Sequence, residues 1–88
     1  MRVAINGFGR IGRSAFRILN RREDVSVVAI NDIAPDDVLV YLLKYDTVMG
    51  RFKDSLELQG NIMKTSSNEV KMLAEPDPLQ LPWRDLEV

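Results

Sequence analysis

Gly7, Gly9 and Gly12 stand in the spacing G-x-G-x-x-G, and Asp32 follows twenty positions after the last of them. These residue types in that order suit the binding of a phosphorylated ribonucleotide. A glycine at position 7 lets the chain turn sharply out of a strand. At Gly9 the missing side chain lets backbone approach a pyrophosphate, and Gly12 allows a helix to pack close to a sheet. The helix that opens here has no Ser, Thr or Asp at its start, the usual caps for free amide groups. Amides near Arg10 and Ile11 therefore stay available to a phosphate at the positive end of the helix dipole. Asp32 can accept hydrogen bonds from two ribose hydroxyls, and its charge disfavours a 2′-phosphate. The set predicts NAD, with NADP less favoured. Its bland counterpart is a ligand-free strand–helix turn in which Asp32 caps the next helix. Glycines at this spacing are common in loops, so the surrounding elements decide.

Those elements have the required order. Val3-Ala4-Ile5 is a short apolar run that stops at the turn-forming pair Asn6-Gly7. From Ile11 the period changes: Ile11, Ala15, Ile18 and Leu19 fall on one helical face. Arg13, Arg17, Asn20, Arg21 and Arg22 occupy the rest, the arginines mostly as a solvated face, with Phe8 and Phe16 as packing residues. Val25 to Ile30 is nearly continuous and rich in β-branched residues, as in a parallel strand covered on both faces. Strand, helix and strand within about thirty residues make a βαβ unit with a right-handed crossover. The periodicity places Asp32 at the tip of the second strand.

Further along, a short helix is predicted to start near Pro35 and run through the apolar stretch Val38–Leu43. Lys44 to Lys53 reads as loop. Leu56, Leu58, Ile62 and Met63 flank Gln59-Gly60-Asn61 as a hairpin, and Val70 to Ala74 reads as the third main strand. The tail from Glu75 carries three prolines and one Trp and reads as loop with a short helical turn. The predicted fold is α/β: an incomplete doubly wound, Rossmann-type parallel sheet whose first half carries an inserted β-hairpin.

Composition removes several chemistries. The 88 residues include no Cys and no His, so thiolate chemistry, the commonest nucleophile–base pair and most zinc sites are absent from them. Carboxylates, lysines and two tyrosines remain, and none forms a convincing nucleophile with an oriented base. Lys44 and Asp46 read as solvated loop charges. No catalytic residue and no metal site is assigned. Twelve Lys and Arg against thirteen Asp and Glu give a net charge of −1, no footprint for nucleic acid or an anionic membrane. No targeting segment is visible, and the longest apolar run is far too short to span a bilayer. The expectation is a cytoplasmic protein.

The segments "NGFGRIGR", "VVAIND", "LLKYDTVMGRF" and "AEPDPLQLPW" together resemble the N-terminal nucleotide-binding part of phosphorylating glyceraldehyde-3-phosphate dehydrogenases, in family order from Met1 to Val88. The resemblance implies pyrophosphate contacts from the backbone at Gly9, Arg10 and Ile11, and a ribose ligand at Asp32. It implies that Asn6 and Gly7 form the family's turn and that Asn31 lies beside the ribose. It further implies a homotetramer, with the "LKYDTVMGRF" stretch near subunit contacts. Two positions depart from the family pattern. Pro76 stands where many members carry a basic residue near the adenine, and Met49 replaces a His common in glycolytic members. Photosynthetic members often have an apolar residue at the latter position, and some use NADP while keeping the Asp.

The resemblance also implies a reaction on a phosphorylated aldehyde. A cysteine thiolate attacks the aldehyde, hydride passes to the nicotinamide, and inorganic phosphate releases the acyl group, with a histidine as base. Neither residue is present, and the first strand would need a fourth strand beside it. Residues 1–88 are therefore expected to be a partial dinucleotide-binding domain, the front of a longer protein, without the catalytic domain and inactive alone. Two alternatives remain from the sequence: a fragment of the sister enzyme erythrose-4-phosphate dehydrogenase, and a non-catalytic nucleotide-binding module.

Overall fold

The computed structural model describes residues 1–46 and 50–88. Strand β1 (Arg2–Asn6) leads through the glycine-rich turn into helix α1 (Arg10–Leu19), and the chain returns as β2 (Ser26–Asn31). Helix α2 (Asp36–Lys44) follows, then β3 (Tyr45–Asp46) and β4 (Gly50–Arg51), β5 (Glu57–Gln59), β6 (Ile62–Lys64) and β7 (Glu69–Leu73). A short 3-10 turn at Pro78–Gln80 lies in the tail.

Five strands form one sheet in the order β1-β2-β7-β6-β5. The pairs β1–β2 and β2–β7 are parallel, as the βαβ reading requires. The predicted hairpin is β5–β6, turning at Gly60 with φ 61°. It adds to the same sheet, with β6 antiparallel to β7, so the sheet is mixed rather than purely parallel. In β2 the last three residues, Ala29, Ile30 and Asn31, are all buried, so this end of the strand is covered on both faces.

The core is one cluster built from Phe8, Phe16, Val27, Ile30, Leu39, Leu43, Phe52, Met63, Val70 and Met72. Phe16 is its aromatic centre: the Phe8 ring meets it edge-on at 6.0 Å and the Phe52 ring stacks on it at 6.1 Å. Both phenylalanines of the glycine-rich segment thus serve packing.

Three local expectations are corrected. Residues 44–53 are not simply loop, because β3 and β4 pair antiparallel with Tyr45 opposite Arg51. The stripe Ile11-Ala15-Ile18-Leu19 meets the core only in part: Leu19 packs against it, but Ile11 is 86% and Ile18 62% exposed, whereas Phe16 is fully buried. Helical periodicity reports an apolar stripe but not which side meets the sheet, and one large aromatic outweighs two aliphatics. The arginines on the other side are not all solvated. The Arg13 side chain is only 14% exposed; it donates to the Phe8 carbonyl and pairs with Asp46 at 3.7 Å. Arg17 donates to the carbonyls of Leu43 at 2.6 Å and Gly50 at 2.7 Å, with its guanidinium 5.6 Å over the Phe52 ring. Long basic side chains can bury their stems where carbonyls receive their heads. Met49 lies outside the described residues.

A polar joint locks the hairpin to the rest. The Asn68 carbonyl oxygen Oδ1 accepts from the Val27 amide at 2.9 Å, and Nδ2 donates to Asn20 Oδ1 at 2.7 Å. Near that point the β1–β2 register skips one residue, between Val3 and Ala4.

Candidate functional site: the glycine-rich turn and the strand exits

β1, β2 and β7 are parallel neighbours in this part of the sheet, so their C-terminal ends emerge side by side. The turn after β1 carries the three glycines. Gly7 sits at φ 93°, the left-handed region that glycine alone adopts freely. Gly12 is required for a different reason: a Cβ there would overlap the Gly7 carbonyl oxygen and come within 3.3 Å of Ile5 Cγ2. The first helical turn is thus pressed against the glycine turn as well as the sheet. At Gly9 a Cβ would meet nothing within 4 Å, so the space above the turn is open.

Gly9 is the N-cap of α1 and provides no side-chain bond, and the first turn contains no acid. The first bond into the helix runs from the Arg13 amide to Gly9 O at 2.9 Å. The amides of Arg10, Ile11 and Gly12 precede it and have no carbonyl of their own helix to reach. They border an open cavity of about 710 Å³ lined by Asn6, Gly7, Gly9, Arg10, Ile11 and Gly12, with Ala4, Ile5, Ala15 and Leu19 as its apolar wall. Six of the eight residues expected to bind a cofactor meet in this cavity.

Asn31 and Asp32 do not line it; they stand one strand over. The Asp32 carboxylate holds the turn from that side. Its Oδ2 accepts from the Phe8 amide at 2.8 Å, and Oδ1 accepts from the Ala34 amide at 2.9 Å. Hydrogen bonds from Ala34 first, then Phe8, keep the Asp32 carboxyl below its ordinary range, against a smaller opposing effect of burial. Each oxygen retains acceptor capacity, so the group remains a charged acceptor beside the turn. The alternative in which Asp32 caps the next helix is not what forms: the N-cap of α2 is Pro35.

Asn31 is buried and fully engaged. Its Nδ2 donates to Asn6 Oδ1 at 3.0 Å and to the Glu75 carbonyl at 2.9 Å, while Oδ1 accepts from the Glu75 amide at 2.8 Å. Its own carbonyl accepts from the Gly7 amide at 2.7 Å. The Phe8 amide and the Glu75 backbone are parts of this arrangement that residue types do not announce. The only sequence signal was the strand order, which sets the exit of β7 beside that of β2. Among the described residues no three His, Cys, Asp or Glu side chains are grouped to hold a metal, and no helix is long and apolar enough to cross a membrane.

An uncapped helix start, a glycine that admits no side chain and a carboxylate at the next strand are the features that a dinucleotide site requires. Comparison with known proteins decides its family. The model of the domain described as "Glyceraldehyde 3-phosphate dehydrogenase, NAD binding domain" matches residues 1–88. The chain belongs to that family. Glyceraldehyde-3-phosphate dehydrogenase of Thermotoga maritima is 51% identical over 89 aligned positions, covering 99% of this chain and 27% of the relative. The cytosolic glyceraldehyde-3-phosphate dehydrogenase of Trypanosoma brucei brucei is 43% identical over 88, covering the whole chain and 27% of the relative. The chain thus spans about a quarter of the length of these curated relatives. The glyceraldehyde-3-phosphate dehydrogenase domain is an NAD-binding domain, so the resemblance noted in the sequence and its cofactor both stand.

Proposed function

We propose that residues 1–88 form the adenosine- and pyrophosphate-binding part of a phosphorylating glyceraldehyde-3-phosphate dehydrogenase. The observation that carries this reading is the free first turn of α1 facing an open cavity. In it the amides at Gly9, Arg10 and Ile11 hold the pyrophosphate, Gly7 and Gly12 shape the turn, and Asn6 borders it. Asp32 takes the ribose hydroxyls, and Asn31 lies beside them. The side chain of Arg10, exposed at the cavity mouth, adds a positive charge near the phosphates.

NAD, when bound, supplies the hydride acceptor; these residues bind and orient it. They contain no Cys or His, so the thiolate and base for a phosphorylated aldehyde belong to a catalytic domain beyond them. In this reading the whole enzyme is a cytoplasmic homotetramer. The trypanosomal relative, named as cytosolic, supports the location.

Calorimetric titration of the native protein with NAD and NADP tests the cofactor assignment, and backbone amide exchange maps it. NAD should bind more tightly than NADP and protect the amides of residues 9–12. Gly12→Ala forces the helix start off the glycine turn and should weaken NAD by roughly tenfold or more. Protection elsewhere, or tighter binding of NADP, would refute the assignment. Turnover with glyceraldehyde 3-phosphate in preference to erythrose 4-phosphate identifies the substrate, and no turnover with either favours a binding module.

A further inference from the structure

Asn31 makes more contacts across the strand exits than any residue type there would suggest. Both hydrogens of its carboxamide nitrogen are used, one on Asn6 Oδ1 and one on the Glu75 carbonyl, and its oxygen takes the Glu75 amide. The pairing with Glu75 is two-point: one side chain satisfies both the N–H and the C=O of a single residue. It thereby acts as the next rung of the β2–β7 ladder, one step past the point where the backbones stop pairing at Asn31 opposite Leu73. With the side chain buried and both donors spent, Asn31 has no hydrogen left to offer a ligand.

The direction of a bound nucleotide gives that ladder rung a use. Phosphates at the turn after β1 and ribose at Asp32 after β2 set a line that runs across the strand exits. Its continuation passes over the exit of β7, where Ala74 and Pro76 are exposed on either side of the half-buried Glu75. On that line the nucleotide's base would lie against this segment. Among the described residues nothing else pins it so firmly, since the neighbouring bond from the Asp77 amide to Glu75 is a local turn and exposed.

We propose that Asn31 is a positioning residue: it sets the height of the Glu75–Pro76 backbone against the base and so fixes the base's share of nucleotide affinity without touching the nucleotide. This rests on the reading of the turn as an NAD site. Asn31→Asp preserves shape and the acceptor for the Glu75 amide. It places oxygen where the donor faced two oxygens, those of Glu75 and Asn6, and so pushes the segment away. Asn6→Ala removes only the partner on the glycine side.

The test compares the affinity of the native protein and both variants for AMP and for ribose 5-phosphate; the ratio isolates the base. Asn31→Asp should lower that ratio by roughly tenfold, the size expected from about 1.4 kcal/mol of lost contact, while Asn6→Ala leaves it unchanged. A folded Asn31→Asp with the native ratio, or an equal fall in Asn6→Ala, overturns the proposal. Should Asn31→Asp fail to fold, the wild-type protein still decides by nuclear magnetic resonance. The Asn31 carboxamide protons should stay bonded to Glu75, and exchange-protected, both with and without NAD. Their release from Glu75 when NAD binds would show a direct ligand and overturn the positioning role. If the wild-type protein binds no NAD, the cofactor reading falls and takes this one with it; binding of NAD with Asn31 released removes only this one.

Discussion

At its first turn α1 meets no side-chain acceptor, while at its last turn it is surrounded by polar side chains. The N-cap is Gly9, with no acid following, and the amides face open space. At the other end the Asn20 amide donates to Phe16 O at 2.8 Å. The Asn20 carboxamide donates to Asp54 at 3.0 Å and accepts from Thr65 and Asn68 at 2.7 Å each. Ser67 donates to the Asn20 carbonyl at 3.0 Å. Both ends face the same deficit of hydrogen-bond partners. One has been saturated by the protein and the other left open. Positive charge is denser away from the open one: Arg10 stands at the open end, whereas Arg17, Arg21, Arg51 and Lys53 gather round a separate cavity by the saturated end. There the negative end of the helix dipole gives at least the helical arginine and Arg21 a reason to be present. On the proposed reading, unsatisfied backbone rather than a count of cations marks the anion site.

Breaking the saturated end should have the largest effect. Asn20→Ala strands Asn68, Thr65 and Asp54 without their partner and should cost about 2–4 kcal/mol of stability. Chemical denaturation measures this, and NAD affinity of the folded protein should hold. A loss of affinity at unchanged stability would erase the distinction between the two ends.

Gly9→Asp sharpens the comparison by closing the open end. The site has room for the side chain, and the new carboxylate can cap the helix, adding up to about 1 kcal/mol. On the proposed reading the same charge would occupy the phosphate position, so NAD affinity should fall while thermal stability holds or rises. A variant that is stabler and still binds NAD normally would contradict the phosphate assignment.

Acid should produce a smaller and local change at the open end. The folded-state pKa of Asp32 lies below its ordinary value of 3.8 because the Ala34 and Phe8 amides favour the charged form. The stabilisation is therefore complete above the unfolded value and disappears as pH falls through the lower, folded value. Following the Asp32 carboxyl and the Phe8 amide together by nuclear magnetic resonance should give one shared midpoint below 3.8. A midpoint at or above that value would mean that the carboxylate does not hold the turn.

Legibility in the sequence followed the physical origin of each feature. Gly7 and Gly12 could be read because a positive φ and a close approach each demand glycine. Strand order was also readable, since β1 and β2 are apolar runs joined by a crossover helix and the stretch from Val70 carries the next strand pattern. The buried side of α1 was not, because Ile11 and Ile18 look like core until Phe16 takes that place. Nor was the partial burial of Arg13 and Arg17, which depends on carbonyls of Phe8, Leu43 and Gly50 arriving from other segments. The short β3–β4 pair was hidden for a related reason: two-residue strands leave no periodicity. At the site the missed partners were backbone groups of Phe8 and Glu75, which carry no signature in the sequence.

The joint at Asn68 bears on how the chain folds. Two of its bonds span 41 and 48 residues and reach the start of β2 and the end of α1. Each of these three places lacks at least one of its bonds until the others have arrived. Intermediates holding only the βαβ unit would carry an open Val27 amide and an unmet Asn20 side chain. Such contacts are slow to close because the intervening chain must be ordered first. Once made, they tie the hairpin to the nucleotide-binding unit, so heat or denaturant should melt both in a single cooperative step.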